Sequence, residues 1–197
     1  LFVMASLVHA QAHNTLTEQE NAEGWKLLFD GKSLDQWRNY NKETLSPNWK
    51  IEGDTFARYD GGGDIITRKE YKDFELKMEW KIQEAGNSGI FLRGSEGKHP
   101  VYKKCIEVQI LDNERHNDNK NKTHHAGALY DFITPPENIS KPAGEWNSVF
   151  IKAVGGRYES YLNGTLMGKL DVHSPEWPKQ LSKTKFKNWD GFGLNRK

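Results

Sequence analysis

The stretch Asn87-Ser-Gly-Ile-Phe-Leu-Arg93, followed by Ile106-Glu-Val-Gln-Ile-Leu-Asp112, decides the fold. Each segment alternates apolar residues with polar or small ones at period 2, the pattern of a strand with one buried and one open face. In the first, Ser88, Ile90 and Leu92 share one face, and Asn87, Gly89, Phe91 and Arg93 share the other. In the second, Ile106, Val108 and Ile110 point to the core, which leaves Glu107 and Gln109 outward. Two neighbouring strands of this kind present amides, an aromatic ring, a guanidinium and a carboxylate on one open surface. That combination suits a cleft that binds sugars.

Outward from these strands, the same alternation recurs with turn signals between the runs. Phe74-Glu-Leu-Lys-Met-Glu-Trp-Lys-Ile82 places Phe74, Leu76, Met78, Trp80 and Ile82 inward and the four charged residues outward. Segments at Trp25–Phe29, Trp49–Ile51, Thr55–Arg58 and Asp64–Thr67 read as further short strands, and Lys69–Asp73 as a helical turn. Ser148–Val154 pairs through Gly155-Gly156 with Tyr158–Leu162, and Asn163-Gly164 turns back to Thr165 onward. Asn-Gly between alternating runs is the strongest short hairpin signal. Long helical periodicity is absent. The expected class is therefore all-β, a two-sheet antiparallel β-sandwich of jelly-roll type. Residues 113–126 are polar and poor in strand formers, and read as a long surface loop, a feature of functional regions.

The chain has 197 residues and a net charge of +1, with 28 basic and 27 acidic residues. That balance gives no global attraction for nucleic acid or an anionic membrane. Cys105 is the only cysteine, so neither an intramolecular disulfide nor a cysteine-based zinc site is available. Leu1–Ala12 is apolar and closes on Ala10-Gln-Ala12, as the end of a secretory signal peptide does; it is too short for a membrane span. Residues 1–12 are thus expected to be the remnant of a leader, 13–23 a linker, and 24–197 a jelly-roll domain that stops short at its C-terminus. An exported protein of the periplasm or cell exterior follows, and a single cysteine in such a protein points to a bacterial source. Asn121, Asn138 and Asn163 lie in glycosylation sequons that a bacterial source makes accidental.

Several segments also occur in one order that belongs to a known family. They are Phe29-Asp-Gly-Lys-Ser-Leu-Asp-Gln-Trp37, Asp73-Phe-Glu-Leu76, Asn87–Arg93, Glu107–Asp112, Gly127-Ala-Leu-Tyr130, Lys141-Pro-Ala-Gly-Glu-Trp-Asn147 and Leu162-Asn-Gly164. In these the chain resembles the 3-keto-disaccharide hydrolase domain family, whose fold is a concanavalin A-like lectin/glucanase jelly roll. The resemblance covers about residues 24–197. It implies an exported bacterial enzyme that cleaves glycosides oxidised at C3, with a sugar 3-oxidoreductase as functional partner. The family continues with a Gly-x-Ile-x-Leu-Gln-Asp-His-Gly segment and a final Arg-Asn-Ile strand, just beyond Lys197.

Glu107–Asp112 also has the outline of the Glu-x-Asp-x-x-Glu strand of jelly-roll glucanases, with Gln109 in place of the middle acid and the shorter Asp112 in place of the last. Retaining hydrolysis needs two carboxyls about 5–5.5 Å apart. A ketone at C3 changes the requirement, because it acidifies the C2 proton: one base starts elimination of the C1 leaving group, and water adds back. Glu107 is the candidate base, Arg93 the partner for the enolate oxygen, and His125 or His124 the proton donor. Asn87, Phe91, Gln109, Asp112, His124, Tyr130 and Trp146 are the candidate sugar contacts. Two other readings stay open: a lectin-like carbohydrate-binding module, and a conventional β-glucanase. No cofactor is required. A divalent metal such as calcium is a possible ligand of Asp60, Asp64 and Asp112, and His116, Asp118, His124 and His125 form a second candidate set that matches no zinc signature.

Overall fold

Alternating side chains make strands, and their apolar faces need a shared interior. A computed structural model describes residues 13–194; the leader-like run at 1–12 lies outside the described residues. The chain divides into two compact units, ending and starting at Glu70 and Tyr71.

The first unit opens on a short helix, α1 (Glu18–Glu23), in the segment expected to be a linker. Its signature is a capping box: Thr17 Oγ1 accepts from Glu20 N, and the Glu20 carboxylate accepts from Thr17 N at 3.0 Å. Trp25–Phe29 forms no strand, contrary to its alternation; this run carries no ladder. β1 (Trp37–Asn39) pairs antiparallel with β4 (Ile65–Thr67), and β2 (Trp49–Glu52) with β3 (Thr55–Arg58). Phe56 joins the two pairs through rings: its centroid is 5.7 Å from Trp37 and 4.8 Å from Trp49. The expected helical turn at 69–73 is absent; these residues are bends without helical hydrogen bonding.

The second unit holds the sandwich. One sheet has the order β10 (Thr165–Asp171), β9 (Arg157–Leu162), β8 (Asn147–Val154), β5 (Phe74–Trp80), all antiparallel. The other pairs β6 (Asn87–Leu92) with β7 (Ile106–Leu111). The Asn163-Gly164 turn has φ of 48° and 81°, the two positive values that a tight β9–β10 hairpin demands. A register shift between Leu166 and Gly168 forms a bulge, and Met167 is buried there.

The inner faces of both sheets share one core. Trp80, Leu92, Ile106, Val108 and Ile110 are buried, and Phe74, Leu76, Met78 and Ile90 pack against them, as the alternation predicts. Val149, Ile151, Tyr158 and Leu162, from β8 and β9 of the sheet that also holds β5, join the same core. Each fully buried aliphatic contributes about 1.5–3 kcal/mol. β7 gains a further neighbour from the segment after the long loop. Gln109 N donates to Ala128 O (3.0 Å), Gly127 N to Gln109 O (2.8 Å) and Tyr130 N to Glu107 O (3.0 Å). This fixes Tyr130 beside the open face of β6 and β7. After β10, α2 (Trp177–Leu181) and a 3-10 turn at Lys185–Asn188 close the unit, with Phe186 and Phe192 stacked at 4.2 Å.

Candidate active site on the β6–β7 face

The register of β6 and β7 sets the site. Phe91 faces Glu107, Gly89 faces Gln109, and Asn87 faces Leu111. Asn87, Phe91, Glu107 and Gln109 accordingly line one pocket of about 450 Å³. The expected open surface is therefore a pocket, because two further segments build walls over it. The 113–130 region supplies Asp118 and Tyr130, and the 3-10 turn supplies Lys185, Phe186 and Trp189. Tyr102, from the turn before β7, completes the rim and lies 6.1 Å from the Trp189 ring. Aromatic walls over a polar floor suit a pyranose, whose C–H faces stack on rings while its hydroxyls bond to the floor.

The loop expected between 113 and 126 is ordered by its own side chains. Asn113 Oδ1 accepts from Ala126 N (2.8 Å), Asn119 Nδ2 donates to Asn113 O (3.0 Å), and Asn121 Oδ1 accepts from Thr123 N (3.1 Å). These local bonds hold two 3-10 turns, Asn117–Lys120 and Lys122–His124. They deliver Asp118 to the pocket.

There a polar chain forms. Lys185 Nζ donates to Tyr130 Oη (3.1 Å), Tyr130 Oη donates to Asp118 Oδ2 (3.0 Å), and His124 Nδ1 donates to Asp118 Oδ1 (2.7 Å). The His124 ring stacks on Tyr130 with centroids 4.1 Å apart and an angle of 14°. Burial acts to raise the Asp118 pKa, but the bonds from His124 and Tyr130 outweigh it and hold the carboxyl below its ordinary value. Burial, then the bond to Asp118, pushes the Tyr130 phenol well above its ordinary range, so it stays protonated. Asp131 ties the two walls together: its Oδ2 accepts from Lys185 N (2.8 Å), and its Oδ1 lies 3.2 Å from His124 Nε2.

Other expected participants stand elsewhere. Arg93 does not line the pocket. It follows the end of β6 with a positive φ of 56°, which breaks the alternation, and its side chain is buried against Asp73 (2.8 Å) with its guanidinium 5.3 Å from the Tyr158 ring centre. His125 is also outside the lining; its Nε2 donates to Asn119 O (2.9 Å). His124 acts behind Tyr130, as its support. Asp112 is buried, and its oxygens accept from the amides of Ala85 (2.7 Å), Glu114 (3.0 Å) and Arg115 (3.3 Å). Burial works against that carboxylate, but the amides prevail and lower its pKa. Trp146 is exposed beneath the Lys81 ammonium, at 5.0 Å, and is not part of the pocket. Tyr102, Lys185, Phe186 and Trp189 escaped the sequence reading because short turns carry no periodic signal.

Among the described residues no group of three or more His, Cys, Asp or Glu is arranged to hold a metal ion; the Asp112 oxygens accept from amides, and His124 bonds to carboxylates. Cys105 is buried, which pushes its thiol up to about 12 and leaves it inert. Among the described residues no helix is long and apolar enough to cross a membrane.

The chain resembles known proteins. The sequence pattern of the family described as 3-keto-alpha-glucoside-1,2-lyase-like domain matches residues 24–191. A 3-keto-disaccharide hydrolase of Bacteroides thetaiotaomicron is 32% identical over 189 residues, taking in 84% of this chain. The chain spans 65% of that relative's length. A crystal structure from Parabacteroides distasonis, provisionally designated a glycosyl hydrolase, superposes with a TM-score of 0.85 at 29% identity, covering 92% of this chain and 87% of its own. A second structure of the same designation and organism gives 0.58 at 25% identity, over 86% of this chain and 70% of its own.

Proposed function

The chain belongs to the 3-keto-alpha-glucoside-1,2-lyase-like domain family, and from that premise we propose that its aromatic-walled pocket cleaves glycosides already oxidised to a ketone at C3, with Glu107 as the base. One observation carries the reading: the lining holds two carboxylates, and Asp118 is committed through both oxygens to His124 and Tyr130, so the pocket offers no second working carboxyl beside Glu107. A conventional glucanase needs two working carboxyls. Elimination from a 3-keto sugar needs one base.

Glu107 takes the C2 proton, and the C2–H electrons form the enolate C2=C3–O⁻. The C3=O bond then re-forms, C1=C2 forms, and the C1–O bond to the aglycone breaks. The departing oxygen needs a proton. Lys185 reaches the pocket with one N–H on Tyr130, and its remaining N–H bonds are available for that oxygen. Water adds at C1 and a proton returns to C2, so the net change is hydrolysis with no oxidation. Lys185 thus takes the part first assigned to His125. The substrate's ketone has to come from a sugar 3-oxidoreductase, the partner this chemistry implies. The leader-like Leu1–Ala12 run supports export, to the periplasm or beyond.

Glu107→Gln keeps the size and much of the hydrogen bonding but cannot accept the proton. Turnover of a 3-keto-glycoside should fall about 10²–10⁴-fold, with calorimetric affinity for the same sugar nearly unchanged. Near wild-type turnover would demote Glu107 to a binding residue. Tight binding without turnover in the wild type would favour the lectin-like reading.

A further inference from the structure

Gln109 holds a carboxamide whose Nε2 and Oε1 both lack a hydrogen-bond partner among the described residues, although the residue is only 1% exposed. Its main chain is fully engaged by Ala128 and Gly127, so the side chain has no local task. A buried amide left in this state weakens a fold, and such groups persist where a ligand completes them. The amide sits at the floor of the pocket, on the same strand face as Glu107 and two residues along.

We propose that Gln109 is a catalytic residue: its Nε2–H donates to the C3 oxygen of the 3-keto sugar and stabilises the enolate, while its Oε1 accepts from the adjacent C4 hydroxyl. The assignment rests on Glu107 being the base. As Glu107 gains the C2 proton, negative charge moves from its carboxylate to the C3 oxygen. A donor already in place and shielded from water stabilises that charge without reorganisation. A neutral amide suits the position. An acid there would repel the enolate and oppose the negative charge on Glu107. Arg93, buried against Asp73, is not at the floor to do this work.

The test isolates enolate formation. The substrate is 1,5-anhydro-3-keto-glucitol, which carries no aglycone, and exchange of its C2 proton in D₂O is followed by NMR with the full chain. Gln109→Met keeps the length and removes both polar atoms. Its exchange rate should fall about 10²–10³-fold, the usual loss for one oxyanion donor. Its melting temperature should hold or rise, since no internal bond is lost; a fall in melting temperature with exchange intact would mark a structural role and overturn the proposal. Should Gln109→Met fail to fold, Gln109→Glu keeps the shape and the acceptor but not the donor, and the same loss is expected. Exchange within about threefold of wild type in either folded variant refutes the role of Gln109 alone. Absence of exchange in the wild type refutes the Glu107 reading with it.

Discussion

The Glu107 carboxylate lies over Gly89. A Cβ added at Gly89 would come within 2.1 Å of Glu107 Oε1, closer than any real Cβ contact. The two residues are diagonal across the β6–β7 ladder, with Gly89 opposite Gln109 and Glu107 opposite Phe91. The missing side chain is thus what lets the carboxylate rest on the pocket floor.

Gly89→Ala should therefore displace the carboxylate. Misplacing a reacting group by about 1 Å costs about 10²-fold, and turnover is expected to fall by about that factor. The melting temperature should barely move, because the clash is with the end of a flexible side chain. Steady-state kinetics beside thermal melting checks this. Full activity in Gly89→Ala would mean that Glu107 works from another position.

Arg93 belongs to stability. Its buried guanidinium pairs with the half-exposed Asp73, which also accepts from Gly155 N (2.9 Å). Arg93→Ala should lower stability by about 2–3 kcal/mol, since it opens a gap and strands part of that network. KM and kcat at the temperature where the variant is folded should match wild type. A folded Arg93→Ala that binds normally but has lost turnover would restore it to the chemistry.

Acid should loosen the wall that carries Asp118. Its folded pKa is depressed below the ordinary 3.8. The sign follows: its contribution is complete above 3.8 and is lost as pH falls through the lower folded value. Urea midpoints of wild type and Asp118→Asn should differ at about pH 6, and the gap should narrow as pH falls below 3.8. A gap that stays constant across that range would rule out the linkage.

Lys185 should show its role through the leaving group. Lys185→Met removes the ammonium, so cleavage of a methyl 3-keto-glucoside should fall by about 10²-fold or more. A 4-nitrophenyl 3-keto-glucoside, whose leaving oxygen needs no proton, should be cleaved at close to the wild-type rate. Equal losses on both substrates would give Lys185 a task other than proton donation.

The sandwich was legible because period-2 alternation reports a face directly. Phe74 to Trp80 and Ile106 to Ile110 show it without interruption, and Asn163-Gly164 marks its hairpin. The floor of the site was legible for the same reason, since Asn87, Phe91, Glu107 and Gln109 follow from the strand register. Arg93 was misplaced because alternation holds only while the backbone stays extended, and its partners Asp73 and Tyr158 are 20 and 65 residues away. The walls were illegible for a related reason. Lys185 and Trp189 sit in or beside a single 3-10 turn capped by Thr184, and their approach to Tyr130 is set by tertiary contacts such as the bond from Lys185 N to Asp131.

The central claim is that the pocket acts on sugars carrying a ketone at C3. The most direct measurement sets release of the same alcohol from methyl 3-keto-glucoside beside release from methyl glucoside, with one preparation of the protein. The account predicts turnover of the oxidised sugar and none of the unoxidised one. Equal rates on the two, or cleavage of methyl glucoside alone, would contradict it.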